Sequence, residues 1–190
     1  MATIIQNSEH LTAEIKVEKN ILQLSKQNDP EALRKLFKQF LPENETIYST
    51  EYLGIQGIWG FGAHSFACLT ECRVADIKID SFGEIVYQDG YLEEINSAIV
   101  VQPSKLKLYV VLIIACVLAI PSFGITLLLL PLIVRYYYRI VQCGLVFWIR
   151  EGVPVYIFSN RSLLNRANNF CRNVALAREN RIKSIKKMHA

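Results

Sequence analysis

A chain of 190 residues holds one domain plus appendages, and its 52% hydrophobic content, with the excess gathered in one stretch, excludes a polytopic transporter. Residues 1–100 carry 8 Lys/Arg against 15 Asp/Glu, residues 101–160 carry 5 against 1, and residues 161–190 carry 8 against 1. The net +4 therefore hides a basic C-terminal half that flanks the most apolar part of the chain and suits anionic lipid headgroups better than nucleic acid.

The first residues, MATIIQNSEHLTAEIK, have neither the basic start nor the apolar run of a signal peptide, so any insertion would rely on an internal segment. The spacing of Leu11, Ile15 and Leu22 predicts a polar, amphipathic helix over residues 8–27. Asn28, Asp29 and Pro30 break it. Asp29 is placed to cap a second helix with Pro30 at its first position, and Pro42 ends that helix. Leu33, Leu36, Phe37 and Phe40 recur at i, i+3, i+4 and i+7, a docking face that would either cover the β structure or serve as a candidate partner-binding surface.

From Thr46 the period shortens. TIYSTEYLGI, SFACLT and RVADIKI predict strands, with the glycine-rich GIQGIWGFG between the first two. EIVYQDGYLEEI predicts a hairpin turning at Asp89-Gly90, and NSAIVVQP extends its second strand to Pro103. Past the apolar stretch, CGLVFWIREGVPVYIFSN predicts another hairpin turning at Glu151-Gly152. Asn160 then caps a long basic helix whose stripe is Leu163, Ala167, Phe170, Val174 and Ala177.

The apolar stretch runs from Leu108 to Val134, 27 residues without a charge. Its length suits one tilted span. Three features favour entry and return instead. Pro121, Ser122 and Gly124 break the middle. Lys105 and Lys107 before it, and Arg135 and Arg139 after it, ask for the same cytoplasmic side. Strands fall on both sides of it, and five strands alone would leave an open edge. The expectation is a transmembrane or re-entrant helical hairpin over residues 105–140. Leu108, Val111, Ile114, Val117, Pro121, Phe123, Leu127, Leu130 and Ile133 would be embedded in the membrane. Lys105, Lys107, Tyr109, Arg135, Tyr136, Tyr137, Tyr138 and Arg139 would lie at its interface. The remaining divisions are a helical extension over 1–45, a first β part over 46–104 and a second over 141–190.

Seven strands followed by a helix is the order of the pleckstrin-homology-like domains. The stretch from His64 to Pro103 resembles bacterial members of that family through Leu69-Thr70-x-x-Arg73 and Leu92-Glu93-x-Ile95-x-Ser97. Residues 46–180 also resemble cyanobacterial proteins that carry an apolar hairpin inside such a domain. The resemblance implies an α+β chain with a seven-stranded barrel or sandwich, a closing C-terminal helix and a binding or scaffolding role at a membrane. It brings no ligand with it: the loop from Gly54 to Ser65 carries no Lys or Arg, which argues against a phosphoinositide pocket there.

Catalytic chemistry finds no constellation. The glycines at 54, 57, 60 and 62 lack the lysine of a phosphate loop and read as turn residues. His64 with Cys68 and Cys72 is one ligand short of a zinc site, and no cofactor or metal is expected. Glu93, Glu94 and Asp89 read as a solvated strand edge. Five cysteines, odd in number and without C-x-x-C, suit a reducing compartment. Trp59 and Phe61 either plug one end of the β structure or form a partner-binding wedge. The expected function is a non-enzymatic, membrane-anchored adaptor, with its folded part on the cytoplasmic side, that binds anionic headgroups and a protein partner. The alternative is an accessory subunit or assembly factor of a larger membrane complex, in a thylakoid if the cyanobacterial resemblance holds. An enzyme is the third reading.

Overall fold

The structure is a computed structural model and describes residues 17–58, 61–102, 105–119, 129, 131–132, 143–150 and 152–188. Among the described residues, four α-helices and seven strands follow in order: α1 (Lys19–Lys26), α2 (Pro30–Lys38), β1 (Ile47–Ile58), β2 (Phe61–Thr70), β3 (Arg73–Ile79), β4 (Ile85–Tyr91), β5 (Ile95–Val101), α3 (Lys105–Ala119), β6 (Cys143–Ile149), β7 (Val155–Ser159) and α4 (Leu164–Met188). The predicted start of the first helix, residues 8–16, lies outside the described residues. The break after it is as expected. Asp29 Oδ1 accepts the Ala32 N–H at 2.8 Å with Pro30 in the first turn. Asn28, at φ 65°, lies in the left-handed region and its Oδ1 accepts the Tyr52 N–H at 2.6 Å.

The strands form two antiparallel sheets, β1-β2-β3-β4 and β5-β6-β7, and not a closed barrel. Closure fails where a hairpin was expected. Asp89 and Gly90 sit inside β4, paired with Ala75 and Val74, so the chain does not turn there. Gly90 is needed for close approach: a Cβ there would stand 2.5 Å from Ile149 Cδ1. The turn comes two residues later as a 3₁₀ turn, Leu92–Glu94, which carries the chain from the first sheet to the second. At the other end a backbone hydrogen bond joins the two sheets. The Asn160 N–H donates to the Leu53 carbonyl at 2.8 Å. Gly54, at φ 118°, leaves room there for the Asn160 side chain, which a Cβ would meet at 2.5 Å. Asn160 makes no side-chain cap, and a 3₁₀ turn, Arg161–Leu163, precedes α4.

The expected transmembrane hairpin is likewise corrected. Among the described residues no helix is long and apolar enough to cross a membrane. α3, with 15 residues, spans about 23 Å against a hydrocarbon core of about 30 Å. The rest of the expected hairpin, residues 120–140, lies outside the described residues, apart from Leu129, Pro131 and Leu132.

The first sheet is apolar on both faces. Ala67, Leu69 and Val74 join Leu145, Phe147, Val155 and Ile157 of the second sheet, and Ala167, Phe170 and Val174 of α4. The alternate residues Phe66, Cys68, Ala75 and Ile77 join Leu33, Leu36, Phe37 and Leu41. One carboxyl lies within this layer. Asp76 is fully buried, accepts from Ser65 Oγ at 2.7 Å, and has Lys78 Nζ 3.5 Å from Oδ2. Burial pushes Asp76 up to about 7 against the pull of Lys78 and Ser65.

His64, on the opposite face, shares a 2.9 Å hydrogen bond with the Tyr52 hydroxyl. Burial and the charge of Lys26 bring its pKa down to about 4. A raised carboxyl contributes stability at low pH and loses it as pH climbs through about 7; a depressed imidazole contributes above its ordinary 6.5 and loses it as pH falls through about 4. The two slopes oppose each other across the acid range. In urea unfolding, Asp76→Asn should gain stability relative to the unmodified chain as pH rises from about 4 to about 7, and His64→Gln should gain as pH falls from about 6.5 to about 4. Curves parallel to that of the unmodified chain would contradict both assignments.

Candidate interaction surface

The polar residues that could carry chemistry are occupied in holding the sheets. Thr70 Oγ1 accepts the N–H groups of Cys72 and Arg73 at 3.2 and 2.9 Å, and so closes the β2–β3 turn; it also bonds Glu45. Arg73 Nε stands 3.0 Å from Glu45, Nη1 2.6 Å from Asp89, and its guanidinium lies 4.7 Å from the Tyr91 ring centroid. The Leu69-Thr70-x-x-Arg73 pattern is thus a turn and clamp that ties the segment before β1 to β3 and β4. Glu93 and Glu94 belong to the 3₁₀ turn instead of a strand edge, and Glu93 lies 3.6 Å from Arg181 of α4.

His64 and Cys68 lie four residues apart on β2 with Phe66 between them, and Cys72 sits beyond the strand end. Burial, with Glu45 nearby, drives the Cys68 thiol well above its ordinary value. Among the described residues no three His, Cys, Asp or Glu side chains group to hold a metal. A groove between β1 and α4, lined in part by Ser49, Leu69, Asn173, Ala177 and Asn180, presents carboxamides and a hydroxyl but no carboxylate, histidine or thiol.

The α2 face does not await an external partner. Leu33, Leu36 and Phe37 are fully buried against the first sheet, and Phe40 stacks on Tyr87 with ring centroids 5.4 Å apart. Phe61 opens β2 opposite Ile58. Trp59 lies outside the described residues, as do Pro121, Phe123, Leu127, Leu130, Ile133, Arg135, Tyr136, Tyr137, Tyr138 and Arg139.

The apolar surface left in the structure centres on α3. Lys105, Lys107 and Leu108 lie in its first turns. Leu106, Tyr109, Val110, Val111, Ile113, Ile114, Val117 and Leu118 are all exposed, Ile113 to 63% and Val117 to 61%. These positions cover more than half of the helix circumference, and the remaining flank carries the half-buried Leu112 and the buried Ala115. Of the side chains described on α3, only Ala115 is buried. Full burial of one such aliphatic side chain is worth about 1.5–3 kcal/mol, which makes the uncovered helix a strongly favoured target for any apolar phase.

The exposure extends into β5, where Ile99, Val100 and Val101 are exposed, and to Trp148 of β6. Sequence reasoning passed over these four. The signal was present: SAIVV and GLVFWI are unbroken apolar runs where a strand with one wet face would alternate. No protein-family model, curated protein or solved structure matches this chain.

Phe37→Ala should cost about 3–5 kcal/mol and Thr70→Val about 1–3 kcal/mol, read as lower midpoints in urea unfolding. An unchanged midpoint for Phe37→Ala would show that α2 is not part of the folded core.

Proposed function

We propose that this protein is a non-enzymatic adaptor attached to a membrane surface, with α3 buried in the apolar part of the bilayer without crossing it. The carrying observation is a 15-residue helix whose described side chains are mostly exposed and whose sequence holds no charge after Lys107. Lys105 and Lys107 at its start, with Arg135 and Arg139 farther along the chain, favour anionic headgroups and put the two-sheet body on the cytoplasmic side. The adaptor reading is supported by the structural employment of Thr70, Arg73, Asp89 and Asp76, and leaves the water-facing body to recruit a protein partner. Kinship with the pleckstrin-homology-like proteins is part of the proposal. It rests on the residues quoted for it and on the order of seven strands then a helix.

One observation favours a second reading. At about 23 Å, α3 is shorter than the hydrocarbon core, and packing between the helices of a larger membrane complex would cover it as well as lipid does.

The test is flotation of the purified full-length chain with vesicles of zwitterionic lipid, with and without anionic lipid. The chain should float with both and more completely with anionic lipid. A double variant, Ile113→Asp with Val117→Asp, should bind at least about tenfold more weakly. A chain that stays in the aqueous fraction, or a double variant that floats equally well, would defeat the membrane reading. A native-sized complex that survives mild detergent would favour the second.

A further inference from the structure

We propose that the outer face of the β5–β6 pair lies flat against the headgroup region of the same bilayer that receives α3. This rests on the membrane reading of α3 and adds to it an orientation of the folded body.

The register defines the face. Ser97 pairs with Trp148, Ile99 with Val146 and Val101 with Gly144, which sets these side chains on one side of the second sheet. The alternate residues Leu145 and Phe147 enter the core, so the first set faces outward. An outward strand face is ordinarily polar; this one offers Ile99 at 46% exposure and Trp148 at 47%. From Gly144 to Trp148 it extends about 14 Å, enough to rest on a surface.

Three further observations select lipid as the occupant. β5 ends at Val101 and α3 begins at Lys105, so extended backbone allows at most about 14 Å between them: if α3 enters a bilayer, the end of β5 is held at its surface. Neither β5 nor β6 contains an acidic residue; Arg150, two residues after Trp148, is exposed, Lys105 and Lys107 open α3, and these basic residues outnumber Glu94 and Glu151 at the strand ends, so the rim favours anionic headgroups. Tryptophan beside an exposed arginine also matches the preference of amphipathic rings for the headgroup level.

The chain has two tryptophans, and Trp59→Phe leaves Trp148 as the sole indole reporter. That variant is mixed with anionic vesicles whose acyl chains carry bromine either near the headgroup or near the chain end, with flotation run in parallel. Trp148 emission should shift to the blue and be quenched more by the shallow bromines than by the deep ones. In the unmodified background, Ile99→Ser with Val101→Ser should weaken vesicle binding about tenfold while leaving the urea midpoint nearly unchanged. A chain that floats with Trp148 unshifted and unquenched would overturn the orientation and leave the α3 reading standing; a chain that does not float would overturn both. A blue shift that appears without vesicles and grows with protein concentration would overturn the lipid assignment in favour of a second copy of the chain.

Discussion

Everything in this fold follows from a four-stranded sheet that is apolar on both faces. Alternation along β2 and β3 sends Ala67, Leu69 and Val74 one way and Phe66, Cys68, Ala75 and Ile77 the other. Such a sheet needs two covers. The second sheet and α4 supply one, and α1 with α2 supply the other. The N-terminal helices are therefore a structural layer of the domain, and the charged clamp of Arg73 with Glu45 and Asp89 fixes the chain that leads from them into β1.

How far the sequence could be read depended on how local the cause was. The Asp29-Pro30 cap was legible because capping needs only four consecutive residues. The strand segments were legible from their short apolar period. Asp89-Gly90 misled because the dipeptide is a strong turn signal in isolation. Here the glycine answers to Ile149, 59 positions away, whose side chain needs the space above it. Likewise the α2 stripe declared that something would cover it, without choosing between the chain's own sheet and a partner. The two-sheet arrangement could not be read either, since it turns on a 3₁₀ turn whose residues carry no period.

The candidate surface shows the same limit from the other side. α3 was visible in sequence as an uncharged stretch leading to the break at Pro121, and its described 15 residues are too few to cross a bilayer. The exposed part of β5 was hidden because an apolar strand looks the same in sequence whether both its faces are packed or one is left bare. Chemistry-bearing side chains gave the opposite result: His64, weighed in sequence as a metal ligand, bonds Tyr52, and Thr70, Asp76 and Arg73 are likewise engaged within the sheets.

The pairing of Val101 with Gly144 carries a consequence for how the molecule is made. Neighbours in the first sheet are close in sequence and can zip together as soon as they leave the ribosome. β5 has no such neighbour. It must wait until about forty further residues have been synthesised, and the closure entropy of that long excursion has to be met by a single strand pair. During that interval the first sheet has one bare face, with α4, which follows β7, still unmade. The nascent chain thus has a defined period of vulnerability, in which a chaperone, or the membrane itself acting as a holding surface, would decide its yield.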